Sequence, residues 1–340
     1  MTGRIEVFDG WRVIAVGLVI ISHLAFRSTF STLLPHARMA AYPWGSLGVV
    51  IFFVLSGYVI TNSLITEVEL RKRTPSIANF MIRRFMRIVP ALVLYLTACL
   101  ILSRLGIIAV PSSDIAHAAM FICNIVECNT MVGHTWSLAY EEQFYIIFPI
   151  LFTLMSRALR IFAVFACSLL LAGLIVGQPE RLFESISSLA IGVSCRVYRD
   201  ALQRLLWRLP EHSVLVGFCG LLSVSAAAPV IAKSLGPAVA GTLELAVVLP
   251  LVATLLMTSI ARPEPFSRFL SHRSIGSVGR ASYGIYLWQQ LTTGQFEGAT
   301  PALNIGLTLL LIPFCQGLYR WFERPLTQWG RRFRRIENGF

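Results

Sequence analysis

Apolar stretches of about 17–20 residues recur along the whole chain. Each is long enough to cross a hydrocarbon layer ~30 Å thick as a helix. They make up most of a chain of 340 residues that is 56% apolar and only 14% charged. A soluble domain carries roughly 25% charged residues, so the sequence reads as a polytopic membrane protein. The first stretch, Trp11 to Phe26, holds Arg12 and His23. It has neither the basic start nor the small-residue cleavage site of a signal peptide, and is read as a spanning helix.

About ten spans follow from this pattern, near 11–26, 47–64, 86–105, 137–155, 161–177, 184–201, 212–230, 241–260, 281–296 and 302–320. An even number puts both termini on one side. All but Arg27, Arg38, Arg104, Arg181 and Lys233 of the 29 basic residues then fall on that same side. Retention of Lys and Arg makes this the cytoplasmic face. The expected fold is an all-α transmembrane helix bundle with both termini cytoplasmic, in a bacterial cytoplasmic (inner) membrane. Residues 1–325 form one membrane domain and 326–340 a basic cytoplasmic tail, with no soluble domain attached. The net charge of +12 is explained by this topology, so nucleic acid is not an expected partner, whereas membrane lipid is.

The longest outer connection is 106–135, with a modestly apolar run near 115–126 that is too short to span and reads as interfacial or re-entrant. Cys123 and Cys128 lie close together in it, and a disulfide is open to them if the segment faces an oxidising compartment. Cys99, Cys167, Cys195, Cys219 and Cys315 fall inside apolar runs as small buried hydrophobes. No Cys/His spacing reads as a zinc site, and no metal is expected.

Ionisable groups inside a membrane insert at about +2.5 to +3.5 kcal/mol each and so call for a partner or a job. Arg12 and His23 are eleven residues apart, close to three helical turns and about 16 Å, so both face one side of their helix. The fourth span opens with Trp136 and Ser137 and carries Glu141 and Glu142 about two turns below the outer surface, a depth similar to that of His23. A carboxylate that meets an imidazole in low dielectric fixes its tautomer and raises its basicity, making a candidate general base. Hydrogen bonding between helices, or hydration of the two glutamates, is the structural alternative. Arg83, Arg84 and Arg87 begin the third span, where shared-face guanidinium groups would clamp a phosphate; plain positive-inside anchoring is the other reading. Ser56 and Gly57 permit close helix approach in the second span. Tyr283, Tyr286 and Gln290 follow i, i+3, i+7 spacing in the ninth and would line a polar cavity.

In order, the segments Phe8-Asp9-Gly10-Trp11-Arg12 with His23, Gly48-Val49 with Phe52 to Gly57, Arg83-Arg84 with Arg87, Ile88 and Pro90, Trp136-Ser137-Leu138 with Glu141 to Tyr145 and Pro149, Ser282-Tyr283 with Tyr286 to Trp288, and Glu323-Arg324-Pro325 make the chain similar to the bacterial acyltransferase family 3 of membrane proteins. Each segment is unspecific alone; the ordered set is not.

The resemblance implies an O-acyltransferase taking an acyl group, in the first place acetyl, from acyl-CoA on the cytoplasmic side to a hydroxyl of a sugar, cell-envelope glycan or related acceptor. It makes Arg12 and His23 the essential pair of the first span and places the coenzyme phosphates on Arg83, Arg84 and Arg87, with Ser56 beside the donor. Trp136, Ser137, Tyr283, Tyr286 and Gln290 are the expected substrate contacts. In this reading His23 deprotonates the acceptor hydroxyl while Glu141 or Glu142 orients it. Two positions depart from many relatives: Val50 stands where an acidic residue is common, and Gln289 where a histidine is. The competing class is a proton-coupled secondary transporter with His23 and Glu141/Glu142 as a relay. No repeat of the kind such transporters show is evident in the sequence.

Overall fold

The computed structural model describes residues 5–27, 35–71, 74–154, 180–236, 243–293 and 300–332, with 239 and 241 singly. Among the described residues every regular element is helical and none is a strand. In chain order they are α1 (Glu6–Arg27), α2 (Pro35–Arg71), α3 (Ile77–Arg104), the short α4 (Ser112–Ala119) and α5 (Thr130–Gly133), then α6 (Trp136–Leu154), α7 (Glu180–Val197) and α8 (Arg199–Leu206). They continue as α9 (Ser213–Leu235), α10 (Leu249–Ala261), α11 (Pro265–Leu270), α12 (Arg273–Arg280), α13 (Ser282–Trp288), α14 (Pro301–Leu318) and α15 (Arg324–Arg332).

Among the described residues five helices are long and apolar enough to cross a membrane: Glu6–Ala25, Pro43–Leu70, Ile77–Arg104, Ser213–Leu235 and Ala302–Arg332. The described residues of the expected spans 137–155, 184–201, 241–260 and 281–296 are also mostly helical. They are shorter or more polar than that measure, or change helix type. The expected span 161–177 lies outside the described residues.

Several boundaries differ from the sequence reading for local reasons. α3 starts at Ile77 because Ser76 caps it, its hydroxyl accepting from Asn79 N at 3.3 Å, which satisfies one of the orphan amides of a helix start. The arginines at 83, 84 and 87 therefore lie about 9–15 Å inside the helix, not at its mouth. The tenth expected span does not stop at 320. A π-turn at Tyr319–Glu323 carries the chain into α15. Pro325, with no N–H to give, suits a widened turn there.

The chain divides into two compact units. The first comprises 1–70 and 155–279, the second 71–154 and 280–340. In the first, the start of α1 is the centre of packing. Trp11 is buried, donates from Nε1 to Ser259 Oγ at 3.1 Å, and meets the edges of Phe218 and Phe266. Phe8 packs edge-on to Tyr58 at 5.0 Å. α2 and α7 cross backbone to backbone: a Cβ on Gly57 would strike Leu189 O, and one on Gly192 would strike Val54 O.

In the second unit α3 is the spine, and α6, α13 and α15 pack against it. The connection after α3 is folded on itself. Asn129 N donates to Asp114 Oδ2 at 2.8 Å, and a disulfide joins Cys123 to Cys128. The apolar run near 115–126 is helical only to Ala119 and then turns. Cys99, Cys195 and Cys315 are buried, but Cys219 is exposed, because it sits on the outward face of α9; Cys167 is outside the described residues.

Candidate active site

The expected site residues divide between the units. Arg12, His23 and Ser56 belong to the first. Arg83, Arg84, Arg87, Trp136, Ser137, Glu141, Glu142, Tyr283, Tyr286 and Gln290 belong to the second.

In the first unit the Arg12 guanidinium pairs with Asp9 Oδ1 at 2.9 Å, one turn back on α1. Asp9 is 2% exposed, so this is a desolvated pair that fixes the arginine's direction. His23 stands three turns further on, near the end of α1, and is partly buried. Its neighbour Ser22 is buried against α2, where a Cβ on Gly45 would lie 2.8 Å from Ser22 Oγ. The adjacent Ser46 donates a short hydrogen bond to Glu184 Oε1 of α7. The sequence reading missed Glu184. Ser56 is partly buried within α2.

The second unit holds a polar cluster built on α3 and α6. Arg84 lays its guanidinium 5.1 Å from the ring centre of Tyr145 and 5.5 Å from that of Phe80, a cation–π placement. It also attracts the carboxylates of Glu142 and Glu141. Tyr145 donates to Glu141 Oε2 at 3.0 Å. Glu142 is buried, and its Oε1 has no hydrogen-bond partner among the described residues. Arg84, expected with Arg83 and Arg87 at the start of the third span, thus packs on Tyr145 and Phe80. Arg83 lies beside α15, its Cα 3.6 Å from where a Cβ on Gly330 would stand.

Tyr283 donates to Ile88 O at 3.0 Å, tying α13 to α3. Tyr286 and Ser137 place their hydroxyl oxygens 2.7 Å apart, and Tyr286 also reaches His134 O at 2.9 Å. The His134 ring is packed between Tyr95 and Tyr286, with centroids at 5.6 and 5.5 Å. Trp136 packs edge-on to Tyr140 at 6.0 Å. The expected i, i+3, i+7 face does not continue as one α-helix. α13 tightens after Trp288 into a 3-10 turn, and Gln289 and Gln290 are both buried in it. Two residues that the sequence reading left out of the site belong to this unit's polar interior, His134 and Glu323; Glu323 was visible only as part of the closing motif. Among the described residues no group of three His, Cys, Asp or Glu side chains converges as a metal site requires.

Buried guanidinium groups, carboxylates and paired hydroxyls fit a site that binds an anionic ligand and moves a proton. The family comparison decides between the chemistries. A model of the acyltransferase domain matches residues 5–319. The chain belongs to acyltransferase family 3. Similar proteins of this family include the peptidoglycan O-acetyltransferase OatA of Listeria monocytogenes, 26% identical over 377 residues, covering 95% of this chain and 56% of that protein. The O-acetyltransferase OatA of Staphylococcus aureus is 28% identical over 369 residues, covering 95% of this chain and 57% of that protein. The chain thus spans little more than half the length of these curated relatives. No solved structure matches it.

Proposed function

We propose that this acyltransferase takes an acetyl group from acetyl-CoA at the cytoplasmic face and passes it to a hydroxyl of a cell-envelope glycan. The support is the family membership together with the buried arginine–glutamate cluster on α3 and α6. The glycan acceptor follows the names of the similar proteins, and the donor follows the chemistry of the arginines.

About ten spans, with both termini cytoplasmic in a bacterial inner membrane, put the arginine turn of α3 on the donor side. The coenzyme enters there, its phosphates at the Arg83 end, where bidentate N–H donors suit them. Ser56 serves donor binding, and Tyr283 belongs with the substrate contacts. The thioester carbonyl comes to His23 at the outer end of α1. His23 takes the proton of the acceptor hydroxyl as it attacks the carbonyl carbon. Coenzyme A leaves as the thiolate and takes up a proton. Glu141 or Glu142 orients the imidazole and stabilises the imidazolium. Arg12, fixed by Asp9, faces the developing negative charge. Trp136, Ser137, Tyr286 and Gln290 hold the acceptor.

A proton-coupled transporter would use the same ionisable groups but has no reason to recognise a coenzyme. Thermal unfolding of the detergent-purified chain discriminates. Acetyl-CoA at a hundred times its Kd stabilises a specific binder by about 2.7 kcal/mol. A midpoint unmoved by acetyl-CoA contradicts the proposal.

A further inference from the structure

Glu184 has no role in the steps above, yet α1, α2 and α7 together bring its carboxylate to the end of α1 that carries His23. All three helices belong to the first unit. A series of close approaches fixes how α1 lies on α2. Phe8 meets Tyr58 edge-on. A Cβ on Gly48 would stand 2.5 Å from Ala15 O and 2.9 Å from Val19 Cγ2, and one on Gly45 would stand 2.8 Å from Ser22 Oγ. As positions rise along α2 they fall along α1, so the two helices are antiparallel. His23 follows Val19 by four residues and Ala15 by eight, which puts it on the same stripe of α1 that faces α2.

On its other side, this end of α2 is held by α7. Ser46, next to Gly45, donates a short hydrogen bond to Glu184 Oε1. Ser46 precedes Val54 by eight residues and Gly57 by eleven, so the three share one face of α2. That is the face α7 crosses, where Gly57 meets Leu189 O and Gly192 meets Val54 O. Further along, Arg196 Nε donates to Asn62 Oδ1 at 2.6 Å, so α2 and α7 run in the same direction. At Gly57 the contact is backbone to backbone. Three turns away, beside His23's end of α1, it is a bond between two side chains, a hydroxyl and a carboxylate, of the charge-assisted kind. A carboxylate within a membrane bundle is expensive and calls for such a job.

We propose that Glu184 is a positioning residue for His23. Acting through Ser46, it fixes the Gly45–Ser46 turn of α2, and with it the seat of Ser22 and of the α1 end that carries the imidazole. This rests on the reading of His23 as general base and adds the residue that holds its helix in place. Glu184 itself touches no reacting atom. A displacement of about 1 Å at a reacting group costs up to ~10²-fold in rate, so a loosened seat is felt in the chemical step. The glycine crossing is untouched by loss of the bond and keeps α2 and α7 together.

The test is acetyl transfer from acetyl-CoA to a glycan fragment by the full-length chain in vesicles, with kcat and KM measured separately and insertion checked. Glu184→Ala is expected to lower kcat by roughly tenfold or more, with the KM for acetyl-CoA unchanged. Glu184→Gln, whose amide oxygen still accepts from Ser46, stays within a few-fold of wild type. Ser46→Ala falls as far as Glu184→Ala, and the double variant falls no further, because the two side chains act as one unit. A wild-type kcat in Glu184→Ala overturns the proposal. So do a loss confined to KM, a Gln variant as slow as the Ala variant, and single losses that multiply in the double variant. If Glu184→Ala does not insert, Ser46→Ala decides, since it removes one hydroxyl: a wild-type kcat there overturns the proposal. An active wild type that is insensitive at both positions sinks this inference alone, whereas full turnover by His23→Ala sinks the general-base reading and this inference with it.

Discussion

The hydroxyl oxygens of Ser137 and Tyr286 lie 2.7 Å apart although 149 residues separate them in the chain. The pair joins the start of α6 to the middle of α13, and both residues are buried. Tyr286 also holds the backbone carbonyl of His134, so one phenol organises the entry to α6. Tyr286→Phe keeps the ring and removes the bond. It is expected to destabilise the chain by about 1 kcal/mol, read as a lower midpoint of unfolding in detergent. An unchanged midpoint would show that the bond holds nothing together.

A second prediction concerns the crossing of α2 and α7. A side chain at Gly57 meets the backbone of Leu189, which cannot rotate away. Gly57→Leu is therefore expected to cost about 1–3 kcal/mol or more through overpacking and to lower the yield of folded protein in the membrane. Accumulation at wild-type level with a wild-type midpoint would contradict the crossing.

How much of this was legible beforehand depends on the range of the contacts involved. Helical content follows from hydropathy and from the rise per residue. The motif around Trp11 was visible too, but its partners Ser259 and Phe266 lie some 250 positions away, where no local period reaches. Arg84 was read as part of a phosphate clamp, or else an anchor, at the start of the third span, because span boundaries were drawn from apolar runs. Ser76 caps the helix earlier, so the arginines lie within α3, and Arg84 meets Tyr145. Glu184 gave no signal, since its serine partner is 138 residues away. Glu323 stood in a motif without a role, because the facing Gly284 is a contact between two helix ends.

The arginine turn yields a third prediction. Arg83→Ala should weaken acetyl-CoA by roughly tenfold, the worth of a charge-assisted phosphate contact, and leave acetyl-pantetheine untouched. Equal losses for both probes would mean that Arg83 does not meet the phosphates.

The disulfide tests sidedness. If the connection after α3 faces outward, Cys123 and Cys128 are reached from outside. A membrane-impermeant reductant followed by an impermeant maleimide should label them in spheroplasts, and Cys123→Ser with Cys128→Ser should abolish that labelling. Labelling that appears only after lysis would put the segment in the cytoplasm and invert the topology.

The central claim is that the imidazole of His23 removes the proton from the acceptor hydroxyl. The direct measurement is transfer of radiolabelled acetyl from acetyl-CoA to a glycan fragment by the full-length chain in vesicles, wild type against His23→Ala, with insertion checked in both. General-base catalysis contributes roughly 10²–10⁴-fold, so the variant should insert normally and lose at least a hundredfold in rate. Turnover near the wild-type level by correctly inserted His23→Ala would contradict the account.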